Sequence, residues 1–194
     1  MKNNIPEDSG IFDPIHLEYI DDYPLSAVQD AVLATNMLLK RDEFYKRIAA
    51  LSPLSLATVS SADIASMMRS SGISITVGVY YSICPDKKID GFDNECNPNE
   101  IFINFWTLDR SIASLCNTII HGCVHAVNAL HKNVFFGHGN VLSGSPEATA
   151  PYVIGGLAEA MIGGAQPYSL QHDPYEGRIR HIKKCFLQIP QYPF

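Results

Sequence analysis

The chain is poor in charged residues, and acidic residues outnumber basic ones. Asp, Glu, Lys and Arg make up 18% of its 194 residues, with 20 acidic residues against 14 basic ones and a formal net charge of −6. Roughly a quarter is usual in globular proteins, and the shortage of charge argues against long disordered stretches. The lack of a basic excess argues against a nucleic-acid-binding surface, which needs positive charge to neutralise phosphates.

Long apolar runs are also missing. No stretch reaches the ~18 consecutive apolar residues that identify a membrane-spanning helix, so we expect no membrane span. The sequence begins MKNNIPEDSGIFDP, which is acidic and contains proline, whereas a signal peptide begins with a basic region followed by an apolar one. A leader for export is therefore not indicated, and both a leaderless secretion route and a trimmed sequence are compatible with this start.

Paired cysteines of the CxxC type are absent as well. The five cysteines are Cys84, Cys96, Cys116, Cys123 and Cys185. An odd number without a CxxC spacing argues against a structural zinc knuckle. Cys84 and Cys96 flank one polar loop and could form a disulfide in an oxidising compartment, whereas free thiols would suit a reducing one equally well.

The pattern of apolar residues predicts a single α+β domain over residues 1–194, with helices first, then two strands, then helices. The expected elements, in chain order, are an extended N-terminal arm (1–24), a helix from Ser26 to about Leu51, a short helix from about Ser61, strands at 73–83 and 101–106, a long helix from Thr107 or Asp109, a helix from Pro151 to Gly163–Gly164, and an irregular C-terminal arm (165–194). We expect the two strands to form a small antiparallel sheet.

Histidine is the residue type that is plentiful, with seven copies. When residues 112–131 are placed on a helix, the apolar side chains share one face, and His121 and His125 lie one turn apart on the opposite face. This polar face carries neither Lys nor Glu, unlike an ordinary solvated face. Two histidines at i and i+4 are typical of a helix that binds one zinc ion.

A third histidine follows soon after this helix. His138 lies between Gly137 and Gly139, where the absence of side chains allows the backbone to approach a site closely. We therefore predict a metal site, with zinc as its ion, formed by His121, His125 and His138.

The segment TIIHGCVHAVNAL resembles the active-site helix of the zincin metallopeptidases, in which HExxH supplies two zinc ligands and a catalytic glutamate. The resemblance extends over about a third of the chain, from the strand IFINFW to Met161. It implies a zincin-like fold and a zinc-dependent peptidase or amide hydrolase. Gly122 stands where that family has the glutamate, which serves as the general base for the zinc-bound water.

Three interpretations of Gly122 are open. A mutation could have silenced a toxic enzyme, the protein could be a natural pseudoenzyme, or another carboxylate could replace the glutamate. We favour the first because the rest of the motif is intact and glutamate to glycine is a single-base change. As it stands, the enzyme is expected to be inactive or impaired.

The resemblance also suggests alternatives for the third ligand. His131 has the spacing of the longer zincin motif HExxHxxGxxH, but the apolar period continues past Asn128, which would turn His131 away from His121. Glu159 would be the ligand in an arrangement of two histidines and a glutamate. Tyr152, Tyr168 and His172 could steady an oxyanion, although a structural role suits each of them better.

Two functions follow from these patterns. The first is a zinc metallopeptidase acting on a peptide or protein, with cell-wall peptide among the candidate substrates; small size and the missing leader fit a bacterial effector or toxin with a cognate inhibitor or immunity protein. The second is a non-catalytic binding or immunity-type protein of zincin fold, with structural zinc or none. Gly122 favours the second function, and the intact histidine pair favours the first.

Overall fold

The computed structural model of the protein describes residues 14–20, 25–81, 90–94, 97–138 and 148–164. Within these ranges it is a mixed structure of helices and one sheet, which is compatible with the predicted α+β class. The elements are β1 (His16–Tyr19), α1 (Ser26–Leu39), α2 (Asp42–Ala49), α3 (Ser61–Arg69), β2 (Ser74–Tyr80), β3 (Gly91–Asn94), β4 (Asn97–Asn104), α4 (Ile112–Leu130) and α5 (Ala150–Gly163).

The described strands form a four-stranded sheet in the order β1-β2-β4-β3. β1 pairs with β2 and β2 pairs with β4 in parallel, and only the edge strand β3 runs antiparallel, next to β4. The prediction of an antiparallel sheet was therefore wrong. The alternation of apolar residues identifies a strand but not its direction. β3, which the sequence pattern did not predict, runs opposite to β2, so β4 after it has the same direction as β2.

The N-terminal arm predicted over residues 1–24 also contains a strand. Residues 16–19 form β1, whose register places Leu17 beside Ile75 of β2. On β2 the predicted alternation is observed, since Ile75, Val77 and Val79 are all buried. The other parts of this arm, residues 1–13 and 21–24, and the predicted C-terminal arm (165–194) lie outside the described residues, as do Cys84 and Cys96.

The helix predicted from Ser26 to Leu51 is interrupted, and two helices replace it. α1 ends at Leu39, Arg41 is extended with φ −90° and ψ 119°, and α2 starts at Asp42. The hydroxyl of Tyr45 donates a hydrogen bond to the carbonyl oxygen of Leu39 across this break. The periodicity continued through the break because both helices bury apolar side chains in the same core, among them Phe44.

The two C-terminal helices begin and end with recognisable capping residues. α4 starts later than predicted, because Phe105–Thr107 forms a 3₁₀ turn and the Ser111 hydroxyl caps the helix by accepting from the Ser114 N–H. α5 has Pro151 in its first turn and ends at Gly163, as predicted, with Gly164 as its C-terminal cap in a left-handed conformation, φ 71°. No helix in the described ranges combines the length and hydropathy needed to cross a membrane.

α4 is the central helix of the fold. It packs against α5, against α1, and against the strands β3 and β4. α4 and α5 run antiparallel, because Asn117 bonds Glu159 while His121, one turn further along α4, contacts Tyr152 at the start of α5. This arrangement fixes the polar face of α4 against the first turn of α5.

Candidate metal centre

The helical geometry predicted for α4 is observed. Leu115, Cys116, Ile119, Cys123 and Val127 are buried on its apolar side. His121 and His125 are half-buried on the other side, and their Nε2 atoms are 3.3 Å apart. The i, i+4 spacing thus brings two imidazole nitrogens together without any help from the rest of the fold.

The tertiary structure adds His138 to this pair. Its ring centroid lies 4.5 Å from that of His125 and 5.4 Å from that of His121. Each of the three residues offers one ring nitrogen, and these atoms all lie within 4.8 Å of one another. Among the His, Cys, Asp and Glu side chains of the described residues, these three form the group that could hold a metal ion.

The spacing of the pair fits a shared ion. Two imidazole nitrogens at the usual zinc–nitrogen distance and a tetrahedral angle are about 3.3–3.4 Å apart, and the Nε2 atoms of His121 and His125 are 3.3 Å apart. The same distance lets one neutral ring donate its N–H to the other when no ion lies between them. The donor set of three imidazoles therefore fits a divalent transition metal.

The electrostatics of the cluster keep at least one ring neutral. Burial lowers the pKa of His121 well below its ordinary value, because the charged imidazolium loses its water, and the neighbouring His125 and His138 lower it further. The residue is half-buried, and its ring contacts the rings of His125, His138 and Tyr152. A neutral imidazole is the form that binds a metal.

Tyr152 contacts two of the three histidines. Its ring meets that of His121 edge-on, with centroids 4.7 Å apart, and lies 5.6 Å from that of His138. Tyr152 is half-buried in the first turn of α5. Of the three oxyanion candidates named from the sequence, the structure brings Tyr152 to the cluster, while Tyr168 and His172 lie outside the described residues.

The two alternative ligands are placed elsewhere. His131 is the C-terminal capping residue of α4, where its backbone N–H bonds the Asn128 carbonyl. Glu159 lies on α5 and accepts a hydrogen bond from the side-chain amide of Asn117, with Nδ2 and Oε2 2.7 Å apart. Neither belongs to the three-residue cluster.

Cys123 is adjacent to the cluster in sequence but not in space. It lies on the buried side of α4, and burial raises the pKa of its thiol far above the ordinary range. A thiol that stays protonated is not a nucleophile. Cys123 is therefore a core residue rather than a nucleophile.

Gly122 faces the sheet rather than the cluster. A Cβ built on Gly122 would lie 2.7 Å from Cδ1 and 2.8 Å from Cγ1 of Ile101, a buried residue of β4. The glycine thus allows α4 to approach β4 closely. Any side chain there, and a glutamate above all, would have to displace Ile101. This packing weighs against the interpretation that a glutamate was lost by a silencing mutation.

Asn128 and Thr58 were not proposed from the sequence as contributors to the site, but both bond the segment just before His138. Asn128 accepts a hydrogen bond from the backbone N–H of Phe136, and Thr58 bonds the backbone of Phe135. Asn128 had a sequence signal, because it shares the polar face of α4 with the histidines. Thr58 had none, since it lies 77 residues away from its partner.

No family model, no curated protein and no solved structure matches this chain.

Proposed function

We propose that His121, His125 and His138 bind one zinc ion and that the protein is a zinc-dependent hydrolase of peptide or amide bonds. The observation that carries the proposal is the convergence of three imidazole nitrogens within 4.8 Å. Three protein ligands leave the fourth zinc position for water or substrate, as in catalytic zinc sites, whereas structural zinc sites use four protein ligands.

The chemistry of the donors favours zinc. Imidazole nitrogen suits zinc, copper, iron and nickel, while calcium and magnesium prefer oxygen ligands. The 3.3 Å separation of the Nε2 atoms of His121 and His125 is close to the edge of a tetrahedron around zinc. The low pKa of His121 keeps that nitrogen available at neutral pH.

The chain's own groups limit how fast such a hydrolase can work. A bound zinc ion supplies a Lewis acid for the carbonyl oxygen and a water molecule of lowered pKa. The three histidines fix its position, and Tyr152 lies beside two of them, where it can contact a substrate. Gly122 offers no group that moves a proton. A positioned general base contributes ~10²–10⁴-fold to such reactions, so we expect slow turnover.

A peptide is the substrate class that the resemblance to zincins favours. The resemblance depends on two features: the histidine spacing of α4, and the short connection from β4 to α4 through one 3₁₀ turn. Cell-wall peptides and proteins of a competing or host cell are the substrates that an effector or toxin would meet. A cognate inhibitor or immunity protein would be the matching partner.

One specific observation favours a second candidate, a non-catalytic metal-binding or partner-binding protein. The contact between Gly122 and Ile101 is part of the core, so the absence of a glutamate has a structural cause. A protein of this kind would keep the three-histidine site as a structural or recognition element and would not hydrolyse peptides.

The test compares metal content and hydrolysis in the same proteins. Wild type, His121→Ala, His125→Ala and His138→Ala are loaded with zinc and assayed against a set of peptides that includes cell-wall peptides, with and without a chelator. His131→Ala is the matched control, because it removes a histidine from the end of the same helix but outside the cluster.

Each outcome decides between the candidates. One zinc ion per chain, bound more weakly by the three cluster variants and with unchanged affinity by His131→Ala, together with chelator-sensitive hydrolysis, supports the hydrolase. The same zinc binding without hydrolysis of any peptide supports the binding protein. Failure of the folded wild-type protein to bind zinc at micromolar concentration rejects the hydrolase and the zinc-binding form of the second candidate.

A further inference from the structure

His138 differs from His121 and His125 in the contacts that fix its position. His121 and His125 are fixed by the helical hydrogen bonds of α4, whereas His138 lies in an irregular segment after the helix. The position of His138 therefore depends on contacts that this segment makes with the rest of the protein. Two side chains provide such contacts just before His138.

The first contact comes from α4 itself. Asn128 lies three residues after His125, and its side-chain oxygen accepts a hydrogen bond from the backbone N–H of Phe136. Phe136 is fully buried and Gly137 is buried beside it. A backbone that is hydrogen-bonded and enclosed two residues before His138 has little freedom to move the imidazole away.

The second contact comes from the connection between α2 and α3. The backbone N–H of Thr58 donates to the Phe135 carbonyl at 2.7 Å, and the Thr58 hydroxyl accepts from the Phe135 N–H at 2.8 Å. These bonds hold Phe135 like one step of a β-ladder. They fix the backbone of the residue that precedes Phe136.

The same connection also holds the start of α5. The backbone N–H of Ser55 donates to the Ala148 carbonyl at 2.9 Å, and Ser55 forms a bridge with Thr149. Leu56, between Ser55 and Thr58, has a left-handed φ of 63°, which is unfavourable for leucine. The α2–α3 connection thus has a strained backbone at Leu56. It contacts both the segment that carries His138 and the segment that carries Tyr152.

We propose that Asn128 and Thr58 are positioning residues for the third metal ligand, and that their hydrogen bonds to Phe136 and Phe135 set the affinity of the site by holding His138 against His121 and His125. The inference rests on the proposed metal site. Two groups that do not touch the ion then control metal affinity: Thr58 in the α2–α3 connection and Asn128 in the last turn of α4. Residues that orient metal ligands in this way typically change affinity by ~10–100-fold when they are removed.

The experiment measures the affinity of Zn²⁺ and the visible absorption spectrum of the Co²⁺-substituted protein. Asn128→Ala removes the side-chain bond to Phe136, and Thr58→Val removes the hydroxyl bonds to Phe135 but keeps the backbone bond to its carbonyl. We expect Asn128→Ala to weaken Zn²⁺ binding ~10-fold or more and Thr58→Val to weaken it by a smaller factor. Both should shift the Co²⁺ bands towards those of His138→Ala. Asn128→Asp keeps an oxygen acceptor and is expected to retain the wild-type spectrum. Far-ultraviolet circular dichroism establishes that each variant is folded.

A second pair of variants separates positioning from general destabilisation. If Asn128 acts through His138, then Asn128→Ala has no further effect on Zn²⁺ affinity when His138 is already alanine. Asn36→Ala is the matched control, because Asn36 also bonds backbone groups, those of Leu17 in β1, and α1 carries no ligand of the cluster. We expect Asn36→Ala to lower stability and to leave the Co²⁺ spectrum unchanged.

The results that would overturn the inference are distinct from those that reject the metal site. If wild type binds Zn²⁺ and His138→Ala weakens it, but Asn128→Ala and Thr58→Val keep wild-type affinity and spectrum, the positioning role is wrong. An equal loss from Asn128→Ala with and without His138 also rejects it. If Asn128→Ala does not fold, Thr58→Val, alone and combined with His138→Ala, decides by the same criteria. Absence of Zn²⁺ binding in wild type rejects the site itself.

Discussion

Gly122 of α4 lies directly against Ile101 of β4. A Cβ on the glycine would come within 2.7 Å of the isoleucine Cδ1, closer than two carbon atoms approach without displacement. The contact occurs where the histidine-bearing helix packs on the sheet, and it places residue 122 on the core side of α4 while the two histidines face the other way. Since glycine costs about 1 kcal/mol in a helix interior compared with alanine, its presence there is explained by this close approach.

We expect Gly122→Ala to destabilise the protein by about 1–3 kcal/mol, the usual cost of forcing an extra carbon into a packed core. Ile101→Ala removes Cδ1, Cγ1 and Cγ2, the three atoms nearest to the new methyl group, so the cost of Gly122→Ala is expected to shrink in that background. Chemical unfolding of wild type, both single variants and the double variant gives the coupling energy. Equal costs in the two backgrounds would contradict the packing account.

Zinc is expected to stabilise the native protein through the three histidines. A ligand that binds only the folded state adds about 2.7 kcal/mol of stability when its concentration is 100 times its dissociation constant. Thermal unfolding with added zinc, with and without a chelator, measures the effect. His125→Ala is expected to lose the stabilisation and His131→Ala to keep it; the same shift in both variants would show that the ion binds elsewhere.

Stability is expected to fall at alkaline pH because of Tyr45. Burial raises the pKa of Tyr45 to about 12, and its hydroxyl donates to the Leu39 carbonyl at 2.7 Å. The unfolded tyrosine has a pKa of about 10. Folding therefore favours the protonated phenol, so its contribution is fully present below pH ~10 and is lost as the pH rises towards ~12.

Tyr45→Phe removes the ionising group and provides the test. The variant is expected to lose about 1 kcal/mol near neutral pH, because the hydrogen bond is absent. Between pH ~10 and ~12 its free energy of unfolding should fall less steeply than that of wild type. Parallel pH profiles for the two proteins would show that Tyr45 does not titrate with unfolding.

Leu56→Gly is expected to leave stability equal or to raise it by up to about 1 kcal/mol. A left-handed backbone costs leucine about 1–2 kcal/mol, and glycine avoids this cost although it loses more entropy on folding. The side chain of Leu56 is 48% exposed, so little burial is lost. Leu33→Gly is the control: Leu33 is 62% exposed within α1, and glycine there should cost about 1 kcal/mol. If Leu56→Gly destabilises the protein by the same amount as Leu33→Gly, the backbone at Leu56 is not strained.

Asn36→Ala is expected to destabilise the outer edge of the sheet. The side-chain amide of Asn36 accepts from the N–H of Leu17 and donates to its carbonyl, each at 2.9 Å. Among the described strands β1 pairs only with β2, so this side chain takes the place of a further strand. Loss of both bonds should cost about 1–3 kcal/mol. Met37→Ala, on the exposed face of the same helix, should change stability by less than about 0.5 kcal/mol.

The sequence by itself determined the local features of this protein. The 3.6-residue period places His121 and His125 on one face of α4 and the buried residues on the other, because helical geometry depends only on spacing along the chain. For the same reason the alternation on β2 and the glycine that ends α5 were predicted correctly. His138 was singled out from its flanking glycines, which indicate a close approach of the backbone but not to which partner.

Only the tertiary structure decided which distant groups meet. The parallel direction of β2 and β4 could not be read from alternation, which is the same in both directions. The contact of Gly122 with Ile101 and the bonds of Thr58 to Phe135 join segments far apart in the chain, and no spacing rule encodes them. The sequence determined that two histidines share a helix face; packing of the segments after that helix decided that His138, rather than His131 or Glu159, lies beside this pair.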